Sequence, residues 1–330
     1  MKALFRFVSL SRCCALAVAL SLAGPIAQAQ QTQKTPAWAY PLLPSIAAPS
    51  VPDDGVKRTL DGSPYAFTLT ELFDLFNAHD WFPESHPPMP EVVAKGHKPE
   101  VRACGMCHYP NGQGRPENAA LAGLPEAYIV QQVKDYQSGL RRSSEAQAGP
   151  HLRMLTTAQA VSDADLHAAA AYFSQLTYQP WIRVIESDSA PLTHVVTGSM
   201  WAALPGDARE PLGKRIVEVP NDYWRTESRD PRSGFTAYVP PGSIARGKVI
   251  ATAGNGQSTP CVACHGPELK GVGPIPPLAG RSASYLFRQI YDIRQGVRKG
   301  EAVLPMREIV SHLTEDDMLA VVAYAASLHP

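Results

Sequence analysis

The sequence predicts a mainly α-helical protein: two tandem helical domains joined by a long insert in which short β-strands are expected. Three observations carry this reading. The pentapeptide Cys-x-x-Cys-His occurs twice, as Cys104-Gly-Met-Cys107-His108 and Cys261-Val-Ala-Cys264-His265. The residues that follow each copy repeat one another at a constant displacement of 157. Apolar residues in both copies recur at three- and four-residue intervals, the spacing of one buried helical face.

At that displacement Leu121-Ala122-Gly123 falls on Leu278-Ala279-Gly280. Tyr128, Gln132, Asp135, Gly139 and Arg141 fall on Tyr285, Gln289, Asp292, Gly296 and Arg298. After a five-residue excess in the first copy the displacement becomes 152, and Ser162 to Leu166 then matches Thr314 to Met318. A period this long marks duplicated domains, because solenoid repeats are much shorter.

Taken in order, the chain opens with Lys2, Arg6 and Arg12, a short apolar run from Cys13 to Ala23, and Ala27-Gln28-Ala29. That is the pattern of an export signal peptide over residues 1–29. No later run reaches the roughly 18 apolar residues of a membrane span, so no transmembrane segment is expected after cleavage. Residues 30–64 hold Pro36, Pro41, Pro44, Pro49, Pro52 and Pro64 and read as an extended, mobile arm.

Residues 65–176 form the first domain. It begins with an added amphipathic helix from Phe67 to Trp81, with Leu69, Leu72, Phe73 and Phe76 on one face. Pro90, Gly96 and Pro99 then leave little room for a regular helix before the first motif. Pro125 to Gly139 reads as a helix that stops on glycine, and Ser162 with Asp165 as a capping-box start for a last helix burying Leu166, Ala169, Ala170, Phe173 and Leu176.

Residues 177–242 are too long for a plain linker. Trp181, Trp201, Trp224 and the run Arg215-Ile216-Val217-Glu218-Val219 predict short strands that pack on one domain or bridge the two. The second domain, 243–330, has a helix from Ser243 to Thr252 in which Gly247 permits another helix to approach closely. A helix from Ser282 to Gly296 follows, and Thr314 with Asp317 starts a last helix burying Met318, Val321, Val322, Ala325 and Leu328.

The motifs carry the chemistry. Cys13 and Cys14 lie in the leader, so the four cysteines left of six all belong to the two motifs. None remains for a structural disulfide or to complete a zinc site. Cys-x-x-Cys-His is the attachment signature of a c-type haem, and its spacing has a physical reason. One helical turn sets both thiols along one porphyrin edge, and the next residue turns its imidazole beneath the iron. Cys104, Cys107, Cys261 and Cys264 are therefore the expected covalent attachment points of two haem c groups, and His108 and His265 the expected proximal iron ligands.

The sixth ligand decides between electron transfer and reactions at an open iron. One methionine in each copy lies between the Tyr/Gly helix and the last helix: Met154 and Met306, 46 and 41 residues after their histidines. A lone methionine is usually core filler, but the repeat pairs these two, and a thioether is a soft ligand that favours ferrous iron and raises the potential. His151 is the rival to Met154. Pro276 is placed to orient His265 through its carbonyl, with Ala119 at the matching position of the first copy. Arg141 and Arg298 read as solvated residues that could also pair with haem propionates.

The attachment motifs, the Leu-Ala-Gly segments, the paired methionines and the Ser/Thr-x-x-Asp helix starts resemble the class I c-type cytochromes, in their soluble two-domain, two-haem form. The resemblance covers residues 92–176 and 243–330. It implies two tandem class I cytochrome c domains, His/Met iron and a periplasmic electron carrier. Its partners would be periplasmic redox proteins, a dehydrogenase as donor and an oxidase or another cytochrome as acceptor. The Pro-rich arm, the weak first helix and the insert depart from the family pattern and bear on partners. An enzyme, such as a two-haem dehydrogenase of sulfur compounds or a peroxidase, would need an open sixth position, against the repeat symmetry. A third reading is the cytochrome subunit of a larger quinoprotein alcohol dehydrogenase. Without the leader the chain carries 27 basic against 30 acidic side chains, a net of −3, and nothing points to nucleic acid.

Overall fold

The computed structural model describes Met1, residues 35–43 and residues 54–330. Apart from Met1, the expected signal peptide lies outside the described residues, as do 30–34 and 44–53 of the expected arm.

A small ribbon, β1 (Arg58–Thr59) and β2 (Ala66–Phe67), leads into a single helical turn, α1 (Leu69–Leu72). The helix expected from Phe67 to Trp81 is thus corrected. Thr68 and Glu71 do form a capping box that starts it. Asp74 ends it: its side chain accepts from the Phe76 N–H at 2.9 Å and its carbonyl from that of Asn77. Local bonds of this kind compete with the helical ladder.

The N-terminal repeat continues with α2 (Glu91–Ala94), as short as its prolines predict, and α3 (Cys104–His108), which is the first motif. α4 (Glu126–Gln137), α5 (Gly149–Ala160) and α6 (Asp163–Ser174) complete it. The insert folds into β3 (Ile182–Glu186), β4 (Ser189–Pro191), β5 (Thr193–Val196), β6 (Met200–Ala203), β7 (Arg209–Pro211) and β8 (Val217–Pro220), then α7 (Tyr223–Glu227) and β9 (Phe235–Val239). β9 lies between β3, to which it is parallel, and β8, to which it is antiparallel. The C-terminal repeat has α8 (Ser243–Ala253), α9 (Val262–His265), α10 (Ala283–Arg294), α11 (Leu304–Ser311) and α12 (Glu315–Ser327).

α8 lies directly on α12. A Cβ at Gly247 would collide with the Ala320 carbonyl and sit 2.9 Å from Tyr324 Cβ, so only glycine permits this approach. Thr314 and Asp317 cap α12 reciprocally. Ser162 accepts from the Asp165 N–H at α6, where the reciprocal bond is absent and Asp165 instead accepts from the Ser162 hydroxyl.

The insert bridges both repeats. Ile216, Ala237 and Val239 join the C-terminal core around Ile250, Phe287 and Tyr291. On the other side Trp81 Nε1 donates to the Ser228 carbonyl at 2.7 Å, and Arg229 donates to the carbonyls of Leu72 and Met106. The arm is also corrected in part, because its described stretch is docked. Ala39 and Tyr40 are buried in the C-terminal core, Trp38 packs on Phe287 at 4.5 Å between ring centres, and Tyr40 donates to Asp292 at 2.6 Å.

The repeats meet along a seam with twofold character. Arg141 and Arg298, equivalent in the repeat, pair as an antiparallel bridge, with the Arg142 N–H on the Val297 carbonyl and the Lys299 N–H on that of Leu140. The described residues from 35 onward make one compact unit.

Candidate functional site

A cavity of about 1510 Å³ runs through this unit, and its lining holds Cys104, Cys107, His108 and Met154 together with Cys261, Cys264, His265 and Met306. All eight residues singled out in the sequence are therefore brought to one space, four from each repeat.

The repeated loops explain how each histidine is held. The N–H groups of Leu121 and Ala122 donate to Gly112, and those of Leu278 and Ala279 to Leu269, closing equivalent loops. Gly123 and Gly280 then adopt φ of 68° and 69° and donate to Phe173 and Ala325 of the last helices. Each loop delivers a carbonyl to its histidine. His108 Nδ1 lies 2.7 Å from the Ala119 oxygen and His265 Nδ1 2.9 Å from the Pro276 oxygen. A carbonyl only accepts, so Nδ1 carries the proton and Nε2 keeps its lone pair for a metal. Burial lowers both imidazole pKa values, favouring the neutral ligand form. Pro276 thus orients His265 as expected, and Ala119 does the same by backbone geometry alone.

Burial pushes the Cys104 thiol up to about 12 and Cys261 up to about 11. The walls suit a large apolar group. Leu124, Ile129 and Phe173 line the N-terminal side, and Leu286, Ile293 and Val322 the C-terminal side.

Met154 lies on α5 and Met306 on α11, both half-buried at the cavity. These two helices were not anticipated, because the five-residue excess between Arg141 and Met154 blurs the repeat there. His151, one turn before Met154, also lines the cavity and packs on Tyr136 at 5.5 Å. Burial, with Arg141 and Arg142 nearby, lowers its pKa to about 4.

The seam carries residues that sequence reasoning undervalued. Arg141 and Arg298 are buried, not solvated. Arg141 donates to Gln132 (3.0 Å), Gln289 (2.9 Å) and Tyr285 (3.2 Å). Arg298 donates to Gln289 (3.3 Å), Gln132 (2.8 Å) and Tyr128 (3.0 Å). Each arginine, glutamine and tyrosine has its repeat mate in the same network, and that pairing was the available signal. Two buried guanidiniums at the cavity wall, with only neutral partners in this network, suit the carboxylates of two haems.

The cytochrome c family profile matches residues 93–177 and 244–329, just over half of the chain. Cytochrome c4 of Stutzerimonas stutzeri is 34% identical over 237 residues, covering 70% of this chain and 86% of that protein. The thiosulfate dehydrogenase electron acceptor of Stutzerimonas stutzeri strain A1501 is 28% identical over 236 residues, 71% of this chain and 82% of the relative. A solved structure of reduced recombinant cytochrome c4 from Pseudomonas stutzeri aligns with a TM-score of 0.45 at 23% identity, over 68% of this chain and 93% of that one.

The chain belongs to the cytochrome c family. It consists of two tandem cytochrome c domains with two covalently bound haem c groups, and it is an electron-transfer protein that exchanges electrons with redox partners. Among the described residues no helix is long and apolar enough to cross a membrane.

Proposed function

We propose that Cys104 and Cys107 hold one haem with His108 and Met154 on its iron, and that Cys261 and Cys264 hold the other with His265 and Met306. The two haem domains span 65–176 and 243–330. The protein acts in the periplasm after removal of residues 1–29, taking electrons from a dehydrogenase and passing them to an oxidase or another cytochrome. Relatives named as thiosulfate dehydrogenase electron acceptors support a sulfur-compound dehydrogenase as donor.

The observation that carries this reading is the repeat-matched tether: two imidazoles with Nδ1 fixed on equivalent loop carbonyls, each sharing the cavity with a repeat-matched methionine. When bound, the haem iron supplies a one-electron couple. The chain's own residues orient the imidazoles, keep them neutral, exclude water and set the potential through a soft thioether. Changing Met154 or Met306 to Ala should each remove half of the weak red ferric absorption of iron–thioether bonds and lower one potential. A signal left whole by Met154→Ala but altered by His151→Ala would assign the first iron to His151 instead.

A further inference from the structure

The two motif loops are repeats of one another, yet their surroundings differ. Displaced by 157 residues, Met106 matches Ala263, Tyr109 matches Gly266, and Arg115 matches Val272. Met106, Tyr109 and Arg115 are buried. Ala263, Gly273 and Pro274 are exposed, and Val272 keeps 55% of its surface open.

The insert causes the difference. Arg229 follows α7 and donates to the Met106 carbonyl inside the first motif at 2.9 Å. The β5–β6 turn reaches the same loop, where a Cβ at Gly198 would lie 3.1 Å from Arg115 Nη2. Arg115 also pairs with Glu117 at 2.7 Å and faces Glu227 of α7 at 3.8 Å. Among the described residues no hydrogen bond or ion pair joins the insert to residues 261–277.

The open loop is neutral as well as apolar. From Gly254 to Pro277 the only charged side chains are Glu268 and Lys270, which pair with each other at 3.5 Å.

We propose that the exposed loop Val272–Pro274, which follows the Gly271 N–H bond to the His265 carbonyl, is the single docking surface for electron exchange, and that its partner is a redox protein whose own cofactor edge is ringed by neutral, apolar residues. The haem of the N-terminal repeat then exchanges electrons with the outside only by way of the C-terminal one. This rests on haem attachment at Cys261 and Cys264 as proposed above. A charged partner would gain no steering from this loop and would have to desolvate its charges against it.

The test is stopped-flow oxidation of reduced azurin, a blue-copper protein with a neutral apolar patch over its metal, by the full-length ferric two-haem protein. Val272→Glu should slow the second-order reaction about tenfold or more, because an unpaired carboxylate would be buried on docking. Val272→Thr should stay within about twofold of the native rate, since it adds no charge. Trp224→Glu, at the most exposed aromatic over the N-terminal side (67% exposed), should also stay within about twofold. The native rate should change less than about twofold between roughly 0.02 and 0.3 M salt. Slowing by Trp224→Glu, whether alone or together with Val272→Glu, would overturn the proposal, as would a steep salt dependence or no slowing by Val272→Glu. Pyridine haemochrome assay of each protein separates the two readings. Fewer than two covalent haems in the native protein would sink the attachment assignment itself.

Discussion

The two repeats place the same chemical groups around their cavities but frame them differently. In the C-terminal repeat α8 runs eleven residues and seats on α12 through Gly247, and one continuous apolar cluster extends from Ile250 to Ala326. In the N-terminal repeat α2 has four residues, and the apolar residues fall into several smaller clusters. What α2 fails to cover is closed by borrowed parts: α1, the turn around Trp81, and Arg229 of the insert. A haem loop needs its histidine tether and its Leu-Ala-Gly closure, and it tolerates great variety in what shields it.

The largest expected break of this comparison is Gly247→Val. The branched side chain would force α8 away from the Ala320 carbonyl, a cost of about 3 kcal/mol. Thermal unfolding followed at the haem bands should show a lowered C-terminal transition with the N-terminal one little changed. Equal loss in both would mean that the two frames are one.

A smaller effect is expected at the seam, where the two repeats contribute matched residues to one network. Arg141→Leu strips donors from Gln132, Gln289 and Tyr285, and Arg298→Leu from Gln289, Gln132 and Tyr128. Each change should cost about 1–3 kcal/mol in denaturant unfolding. The double variant should cost less than the two single losses added, because the partners are shared. Strictly additive losses would show that the two arginines act separately.

The smallest effect is a pH dependence confined to the N-terminal repeat. His86 Nε2 lies 3.0 Å from Asp80 Oδ2, and its Nδ1 2.9 Å from the Tyr172 hydroxyl. Burial pushes the imidazole pKa down, but the bond to Asp80, aided by the Pro87 carbonyl and the Glu84 charge, outweighs this and raises it. A raised histidine pKa contributes stability that is full below the unfolded value of about 6.5 and is lost as pH rises through the higher folded value. His86→Gln should flatten this dependence in melts across that window.

Much of this arrangement was legible in the chain. The motifs, the Leu-Ala-Gly loops, the capped last helices and the close approach at Gly247 all depend on residues near one another in sequence or paired by the repeat. What was illegible depends on distant partners or on local competition. Tyr40 is docked because Asp292 and the rings of Phe287 and Tyr291 receive it and its neighbour Trp38, and nothing near Tyr40 announces those partners. Arg141 reads as solvated until Gln289 and Tyr285 of the other repeat surround it. The helix expected after Phe67 has the right apolar spacing, and a single Asp74 turn cancels it.

The central claim is that each repeat holds one haem iron with its own histidine and methionine. Proton NMR of the fully reduced, diamagnetic protein tests it most directly, because the ring current of a haem shifts the methyl group of an axial methionine far upfield. Two separate three-proton signals are expected in that region, one lost in Met154→Ala and the other in Met306→Ala. A single upfield methyl signal, or one that survives both substitutions, would contradict the account.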